Sequence, residues 1–347
     1  MRAAIFHEHG DPGVISVTDL PTPEPGPGQV RIRVRAASLN HLDLWVRRGL
    51  PIRIPMPHIG GSDMAGEVDA AGPGVEGVSK GARVVVDPTL DWEWIEGVRR
   101  GPDLPDPEFR VLGEHTQGGF AEYAVVPAAN LLQIPDEVPF EVAAAAGLVA
   151  VTAWRGLVGR ARIRPGERVL ITGASGGVAS MAVQIARNAG ARVIALTSGE
   201  ENVRRLRELG AHQVLDRLTG EPKDLLRKAT APEGVEVVLD SVGEVLWPTL
   251  IRALAPGGRL VTYGATTGHR GDTDLRHVFW KQLSILGTTM GSPADFRAAM
   301  AEVFRGRLVP PIHRTVGLEG VREAHEELEA GKVFGKIVVE PQGRHPG

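Results

Sequence analysis

The fold of this chain is decided by one stretch, Arg168-Val-Leu-Ile-Thr-Gly-Ala-Ser-Gly-Gly-Val-Ala-Ser-Met-Ala-Val-Gln-Ile-Ala-Arg187. It opens on the β-branched apolar run Val169 to Thr172, short enough for a buried parallel strand. The glycine-rich turn Gly173-Ala-Ser-Gly-Gly177 follows. Small and apolar residues then recur at helical spacing, at Val178, Ala182, Ile185, Ala186 and Ala189. A strand, a glycine turn and a helix N-terminus in that order make a site for a diphosphate. Glycine lets the backbone approach the anion, free N–H groups point at it, and the helix dipole favours its charge.

Outward from this stretch, residues 135–290 alternate strands with helices. The pattern runs from a helix at Phe140 to Val158 through strands at Arg192 to Thr197, Gln213 to Asp216, Val235 to Asp240, Arg259 to Gly264 and Leu283 to Thr288. Helical segments at 178–189, Glu200 to Leu209, Lys223 to Ala229 and Leu246 to Leu254 separate them. This alternation predicts an α/β doubly wound parallel sheet of the Rossmann kind. Residues 1–134 read differently. Short alternating runs lie between Pro/Gly turns such as Pro21-Thr-Pro-Glu-Pro-Gly-Pro-Gly28, a pattern that predicts a partly closed β-barrel. The segment Leu90 to Glu114 has no clear period and reads as a projecting lobe. The tail from residue 291 carries helices at Asp295 to Arg305 and Leu318 to Ala330 and a last strand, Gly335 to Glu340.

Composition narrows the possible functions. The 39 basic and 42 acidic groups of this 347-residue chain give no reason to expect a nucleic-acid or anionic-membrane surface. With no cysteine, disulfides and thiolate metal sites are excluded. The start of the chain runs straight into an alternating strand, and no apolar stretch reaches the ~20 residues of a membrane span. A soluble, cytoplasmic protein is expected.

Collinear motifs carry a resemblance over the whole chain. They are Ala37-Ser-Leu-Asn-His-Leu-Asp-Leu-Trp-Val-Arg-Arg-Gly49, Ile59-Gly-Gly-Ser-Asp-Met-Ala-Gly66, Gly118-Gly-Phe-Ala-Glu-Tyr-Ala124, Val151-Thr-Ala-Trp154, the glycine turn, Leu239-Asp-Ser-Val-Gly243 and Phe334-Gly-Lys-Ile-Val-Val339. In this order they resemble the medium-chain dehydrogenase/reductases, the superfamily of zinc alcohol dehydrogenases and zinc-free quinone oxidoreductases. The resemblance implies a GroES-like barrel domain formed by residues 1–134 and 291–347 around an inserted Rossmann domain, 135–290. Ligands are then expected in the interdomain cleft.

Zinc relatives place a Cys, a His-Glu pair and a Cys or Asp where this chain has Asn40, Ser62-Asp63 and Leu148. Asn and Leu are not useful zinc ligands, and Asp63 alone does not make a three-ligand site. His41 and His58 read as structural. The four-cysteine lobe site of those relatives matches Trp92, Ile95, Val98 and a residue near Pro105, where a small hydrophobic plug is expected. No zinc is therefore expected. Asn40 and Asp63 match the zinc-free members, in which the Asn lies near the nicotinamide ribose. Trp45 stands where those members often carry Tyr, so it stacks on a ring or fills the barrel core, and it offers no acidic proton.

The glycine turn reads Gly-x-x-Gly-x-x-Ala, with Ala179 in the packing position, close to quinone-reductase-like members. Gly173, Ser175, Gly176, Gly177 and Val178 would cradle the diphosphate. Thr197 replaces the acid that NAD-selective domains carry at the end of the second strand. Ser198 and Asn202 would then bond a 2′-phosphate, with charge from Arg204 or Arg217, so NADP(H) is preferred and NAD(H) possible. Exposed backbone groups at Val242, Gly243, Gly264, Ala265 and Thr266 are expected along the nicotinamide, with Thr152 touching it and Lys336 reaching the ribose. The implied reaction is metal-free hydride transfer to a quinone or conjugated carbonyl, since the cofactor carries the chemistry. A zinc-type alcohol dehydrogenase with an unusual ligand set and a non-catalytic NADPH-binding protein remain as alternatives. The run Leu283 to Thr289 resembles the edge strand through which family dimers join, so a homodimer or homotetramer is expected.

Overall fold

A computed structural model of the chain describes residues 1–98 and 108–343. It divides into two compact units, Met1–Leu148 with Ser292–Gly347, and Val149–Gly291.

The second unit is a six-stranded parallel sheet. Its spatial order is Gln213–Asp216, Arg192–Thr197, Arg168–Ile171, Val235–Asp240, Leu254–Thr262 and Ser284–Gly287. In chain order within the sheet this is 3-2-1-4-5-6, the doubly wound arrangement, and the strand order reverses beside Arg168–Ile171. Its central strands are covered on both faces, so they are apolar at consecutive positions rather than alternating. Val169, Leu170 and Ile171 are fully buried, as are Val237, Val238 and Leu239. Leu170, Ile194, Val238 and Leu260 pack with Leu226 and Leu250 from the connecting helices Pro222–Thr230 and Trp247–Ala253. The turn after the first strand has Gly173 at φ 57°, where a side chain would also approach the Ser241 hydroxyl to 3.1 Å. Ala174 donates its N–H to Leu196 O at 3.0 Å, which ties the turn to the second strand.

The first unit is β-rich. The ten-residue strand Gln29–Ser38 pairs with Asp63–Ala71, with Tyr123–Pro127 and, at its far end, with the tail strand Lys336–Val339. Arg83–Val86 and Leu131–Gln133 continue the sheet on one side and Ile312–Val316 on the other. Val30, Ile32, Val34, Met64, Val84 and Phe120 form the interior. The register places Ser38 opposite Asp63 on one neighbour and opposite Val338 on the other, so three distant segments meet at one strand end.

The helix Phe140–Trp154 straddles the division between the units, because Ala144 and Leu148 bond into the first. Continuing through a π turn at Arg155–Arg160, it is the one span among the described residues that is long and apolar enough to cross a membrane. It is 72% buried inside the protein and is a core helix.

Several short elements lay outside the sequence pattern, among them the helices His41–Arg48 and Leu275–Trp280 and the strands His58–Ile59, Leu131–Gln133 and Ile312–Val316. The two helices are shorter than the window over which helical periodicity is legible, and the strands do not alternate over enough residues. In the lobe, Trp92 is buried edge-on against Phe109, with ring centroids 6.2 Å apart, while Ile95 is half-buried and Val98 is exposed. The expected plug therefore narrows to the Trp92–Phe109 pair. The position near Pro105 lies outside the described residues.

Candidate active site

Asp63, fully buried at the start of its strand, accepts hydrogen bonds from four residues. Oδ2 accepts from Ser38 Oγ at 3.1 Å, Asn40 Nδ2 at 2.8 Å and Lys336 Nζ at 3.1 Å. Oδ1 accepts the Leu148 N–H at 2.6 Å. The Lys336 ammonium also donates to Asn40 Oδ1 at 2.5 Å. Asn40 is thereby fixed in one amide orientation, with its carbonyl on the cation and one amino proton on the carboxylate. Close approach of Asp63 to the helix backbone requires Gly147, where a Cβ would lie 2.5 Å from Oδ1. Burial holds the Lys336 ammonium below the ordinary lysine pKa, against the opposing pull of Asp63.

Lys336, expected to reach a ribose, is 3% exposed and closes this cluster, because the tail strand enters beside Ser38. Trp45 makes none of these contacts. It is 38% exposed on its helix, with the Arg48 guanidinium 5.4 Å from its ring centroid. Both ring nitrogens of buried His58 face carbonyls, of Pro55 at 3.2 Å and Gly113 at 3.0 Å.

Beneath the cluster, Asp43 Oδ2 accepts the Asn40 N–H at 2.7 Å and Oδ1 the Gly61 N–H at 2.9 Å. One carboxylate thus braces the two segments that carry Asn40 and Asp63. The Asn40-His-Leu-Asp43 spacing of a helix-capping acid is the sequence signal that could have found it. Burial pushes Asp43 up to about 6 despite those amides. Glu114 is pushed up to about 7, by burial first and by the charge of Asp43 second.

Among the described residues no group of three or more His, Cys, Asp or Glu side chains is placed to hold a metal ion. Asn40, Ser62 and Leu148 supply no anionic or imidazole donor, and the single acid, Asp63, is engaged by an ammonium. This donor set does not fit a three-ligand zinc site.

In the second unit the helix Gly177–Asn188 starts at Gly176 with no side-chain cap and no acid in its first turn. Its first N–H groups are therefore open to an anion. The next helix, Glu200–Glu208, begins with two acids. Its Arg204 pairs with Glu201 at 2.6 Å and with Glu208 at 2.5 Å, Arg205 pairs with Glu201 at 2.7 Å, and Asn202 donates to Ser198 O at 2.8 Å. Arg204 and Asn202, expected to meet a 2′-phosphate, are thus engaged within their own helix turn. Arg217 is exposed and has no ion-pair partner among the described residues. Its N–H bonds Thr197 O at 2.9 Å, which holds it beside the end of the second strand. Thr197 is 4% exposed, and its hydroxyl has no partner among the described residues.

The turn after the fourth strand differs from expectation. Asp240 accepts Thr172 Oγ1 at 2.5 Å, Val242 N–H at 3.1 Å and Gly243 N–H at 2.9 Å. Thr266 Oγ1 donates to Ser241 O and Thr267 Oγ1 to Val242 O, each at 2.7 Å. The backbone groups of Val242 and Gly243 are therefore largely satisfied internally. Asp240 organises this turn, and its place directly before Ser-Val-Gly was the signal for it. Gly264, Ala265 and Thr266 lie past the end of their strand, which stops at Thr262.

Comparison with known proteins agrees with this architecture. The profile of the alcohol dehydrogenase GroES-like domain matches residues 26–136, and that of zinc-binding dehydrogenases matches 177–305. Human quinone oxidoreductase is 30% identical over 98% of this chain and 97% of its own. Crotonyl-CoA reductase of Streptomyces avermitilis is 31% identical over 94% of this chain and 83% of its own. A solved NAD-dependent alcohol dehydrogenase superposes with a TM-score of 0.90 at 42% identity, over 98% of this chain and 99% of that one. The chain belongs to the medium-chain dehydrogenase/reductase superfamily. It is an NAD(P)-dependent oxidoreductase with a Rossmann domain and a GroES-like domain.

Two consequences are measurable. Lys336→Met leaves Asp63 charged and unpaired, so unfolding in urea should show a loss of about 3–5 kcal/mol. Lys336→Met with Asp63→Leu should recover part of it, and an unchanged midpoint in the single variant would contradict the pairing. The second concerns pH. The folded chain binds protons at Asp43 and Glu114 more tightly than the unfolded chain, whose reference values are 3.8 and 4.5. Their contribution to stability is fully present below those values and is lost as pH rises through about 6 and 7. Glu114→Gln should therefore flatten the decline in stability between pH 5 and pH 8 by on the order of 2–3 kcal/mol. Parallel stability–pH curves for the two proteins would rule out the Glu114 assignment.

Proposed function

We propose a soluble, cytoplasmic, zinc-independent reductase that transfers hydride from a nicotinamide coenzyme to a quinone or conjugated carbonyl. The observation that carries this reading is that Asn40 and Asp63, at two of the positions matched to the zinc relatives' ligands, are bonded to each other and to the Lys336 ammonium. A simple ketone usually needs a Lewis acid or a strong proton donor to accept hydride, whereas a quinone or enone is electrophilic enough without a metal. Likeness to a quinone oxidoreductase and to a crotonyl-CoA reductase supports the same acceptor class.

When bound, the nicotinamide supplies the hydride. The glycine turn from Gly173 through Val178, with Ser175, holds the diphosphate against the open helix N-terminus. Thr152 and the backbone at Gly264 and Ala265 line the nicotinamide. Asn40 keeps one amino proton beyond its bond to Asp63, and that proton orients a coenzyme hydroxyl or the acceptor oxygen. Lys336 and Asp63 are positioning residues that hold this amide fixed. Thr197, Ser198 and Arg217 favour NADP(H) at the adenosine end, and NAD(H) is also accepted.

A second copy of the chain is proposed on the edge strand Ser284–Gly287. This strand ends the sheet, and Leu275, Phe279, Trp280 and Ile285 are exposed on it and on the helix leading into it.

Turnover of NADPH and NADH against a panel of quinones, enones, ketones and aldehydes, with and without a chelator, tests the chemistry. Quinones or enones should be reduced at rates the chelator leaves unchanged, and Asn40→Ala should cut kcat/KM about 10- to 100-fold with coenzyme binding retained. Stoichiometric zinc lost together with activity would identify a zinc-type alcohol dehydrogenase, and coenzyme binding without turnover a non-catalytic protein. For the assembly, light scattering should find a multiple of 37.0 kDa that Trp280→Asp reduces to the monomer, and a monomeric parent protein removes the proposal.

A further inference from the structure

The second strand ends without an acid, and an acid stands at the end of the strand beside it. In the parallel register of the sheet Thr197 is paired with Asp216, the last residue of the third strand. Asp216 Oδ1 accepts the Gly199 N–H at 2.9 Å and the Leu218 N–H at 2.9 Å. Its carboxylate is thereby drawn toward the Ser198-Gly199 turn, the place where nicotinamide-binding domains meet the adenosine ribose. Oδ2 accepts from no group among the described residues, and Asp216 forms no ion pair among them. The adjoining Thr197 hydroxyl is buried without a partner. Two unengaged polar groups therefore stand on neighbouring strand ends, one of them anionic. Around them the local charge is not cationic, since Arg204 and Arg205 are neutralised by Glu201 and Glu208. Arg217, next in sequence to Asp216, has no ion-pair partner among the described residues and is placed to offset a phosphate.

We propose that Asp216 is the residue that sets coenzyme selectivity, acting as a second-strand acid moved one strand over. Its free oxygen accepts from the adenosine ribose hydroxyls of NADH and opposes the 2′-phosphate of NADPH, while Arg217 pulls the other way. Selectivity is the difference between these two neighbouring side chains, which are adjacent in sequence. The proposal rests on the reading of the second unit as a nicotinamide coenzyme site and deepens it.

Asn is nearly isosteric with Asp and keeps an oxygen acceptor for the Gly199 and Leu218 amides. The experiment is titration of the full-length protein with NADPH and with NADH, followed by calorimetry, for the parent chain and for Asp216→Asn. Thermal melting of both proteins accompanies it. The ratio of NADPH to NADH affinity should rise about tenfold in Asp216→Asn with the melting temperature held, as removing one charge a few ångströms from a phosphate in a partly solvated site implies. Asp216→Ser, with a short acceptor for the same amides, should shift the ratio in the same direction even if the Asn variant folds poorly. A merely structural residue would weaken both coenzymes together, so an unchanged ratio in a folded variant overturns the proposal. Failure of the parent chain to bind either coenzyme would instead overturn the coenzyme reading itself, and this proposal with it.

Discussion

A carboxylate with no access to solvent must be given back what water would have supplied. Asp63 receives it from four donors, of which one is an ammonium that is itself buried. Either charge alone in that environment would be strongly unfavourable, and together they are tolerable only because the remaining bonds are made. The pair therefore acts as a specification as much as an attraction. It accepts one register of the strand Gln29–Ser38, one entry point for the tail and one position for the helix that carries Leu148. Gly147 shows how tight that specification is, since a single methyl there would collide with the carboxylate.

The second unit solves a different problem with the same means. Parallel strands end in a row of loops, and each loop needs its backbone satisfied before it can present anything to a ligand. Asp240, Thr266 and Thr267 do this for the turn after the fourth strand, and Asp216 for the turns after the second and third. After the first strand the turn is glycine and the following helix begins with neither a side-chain cap nor an acid in its first turn, so its first N–H groups can meet an anion. Where the chain leaves its backbone donors unanswered is where its chemistry is to be sought.

The relatives differ in what they reduce or oxidise while sharing this framework, as their names record: a quinone oxidoreductase, a crotonyl-CoA reductase and alcohol dehydrogenases. Here the positions matched to the zinc relatives' ligands hold an amide, a hydroxyl, a leucine and one neutralised acid, a set suited to holding hydrogen bonds still and poorly suited to a divalent metal.

The sequence alone was enough for the Rossmann sheet, because a buried parallel strand and its following helix are local patterns of apolar residues and glycine. It was enough also for the family, since seven motifs in one order are a long-range signal written in local pieces. Side-chain partnership was out of its reach. Lys336 lies 273 residues from Asp63, and no local pattern announces that the tail strand enters beside Ser38 and brings the two into a buried ion pair. Arg204 read as a free cation until the helix placed Glu201 and Glu208 three and four residues away on its own face. Asp216 read as the end of a strand until the sheet register set it against Thr197. Periodicity records which residues are hidden from water. Which charges meet there depends on register between distant strands, and only the tertiary structure decides that.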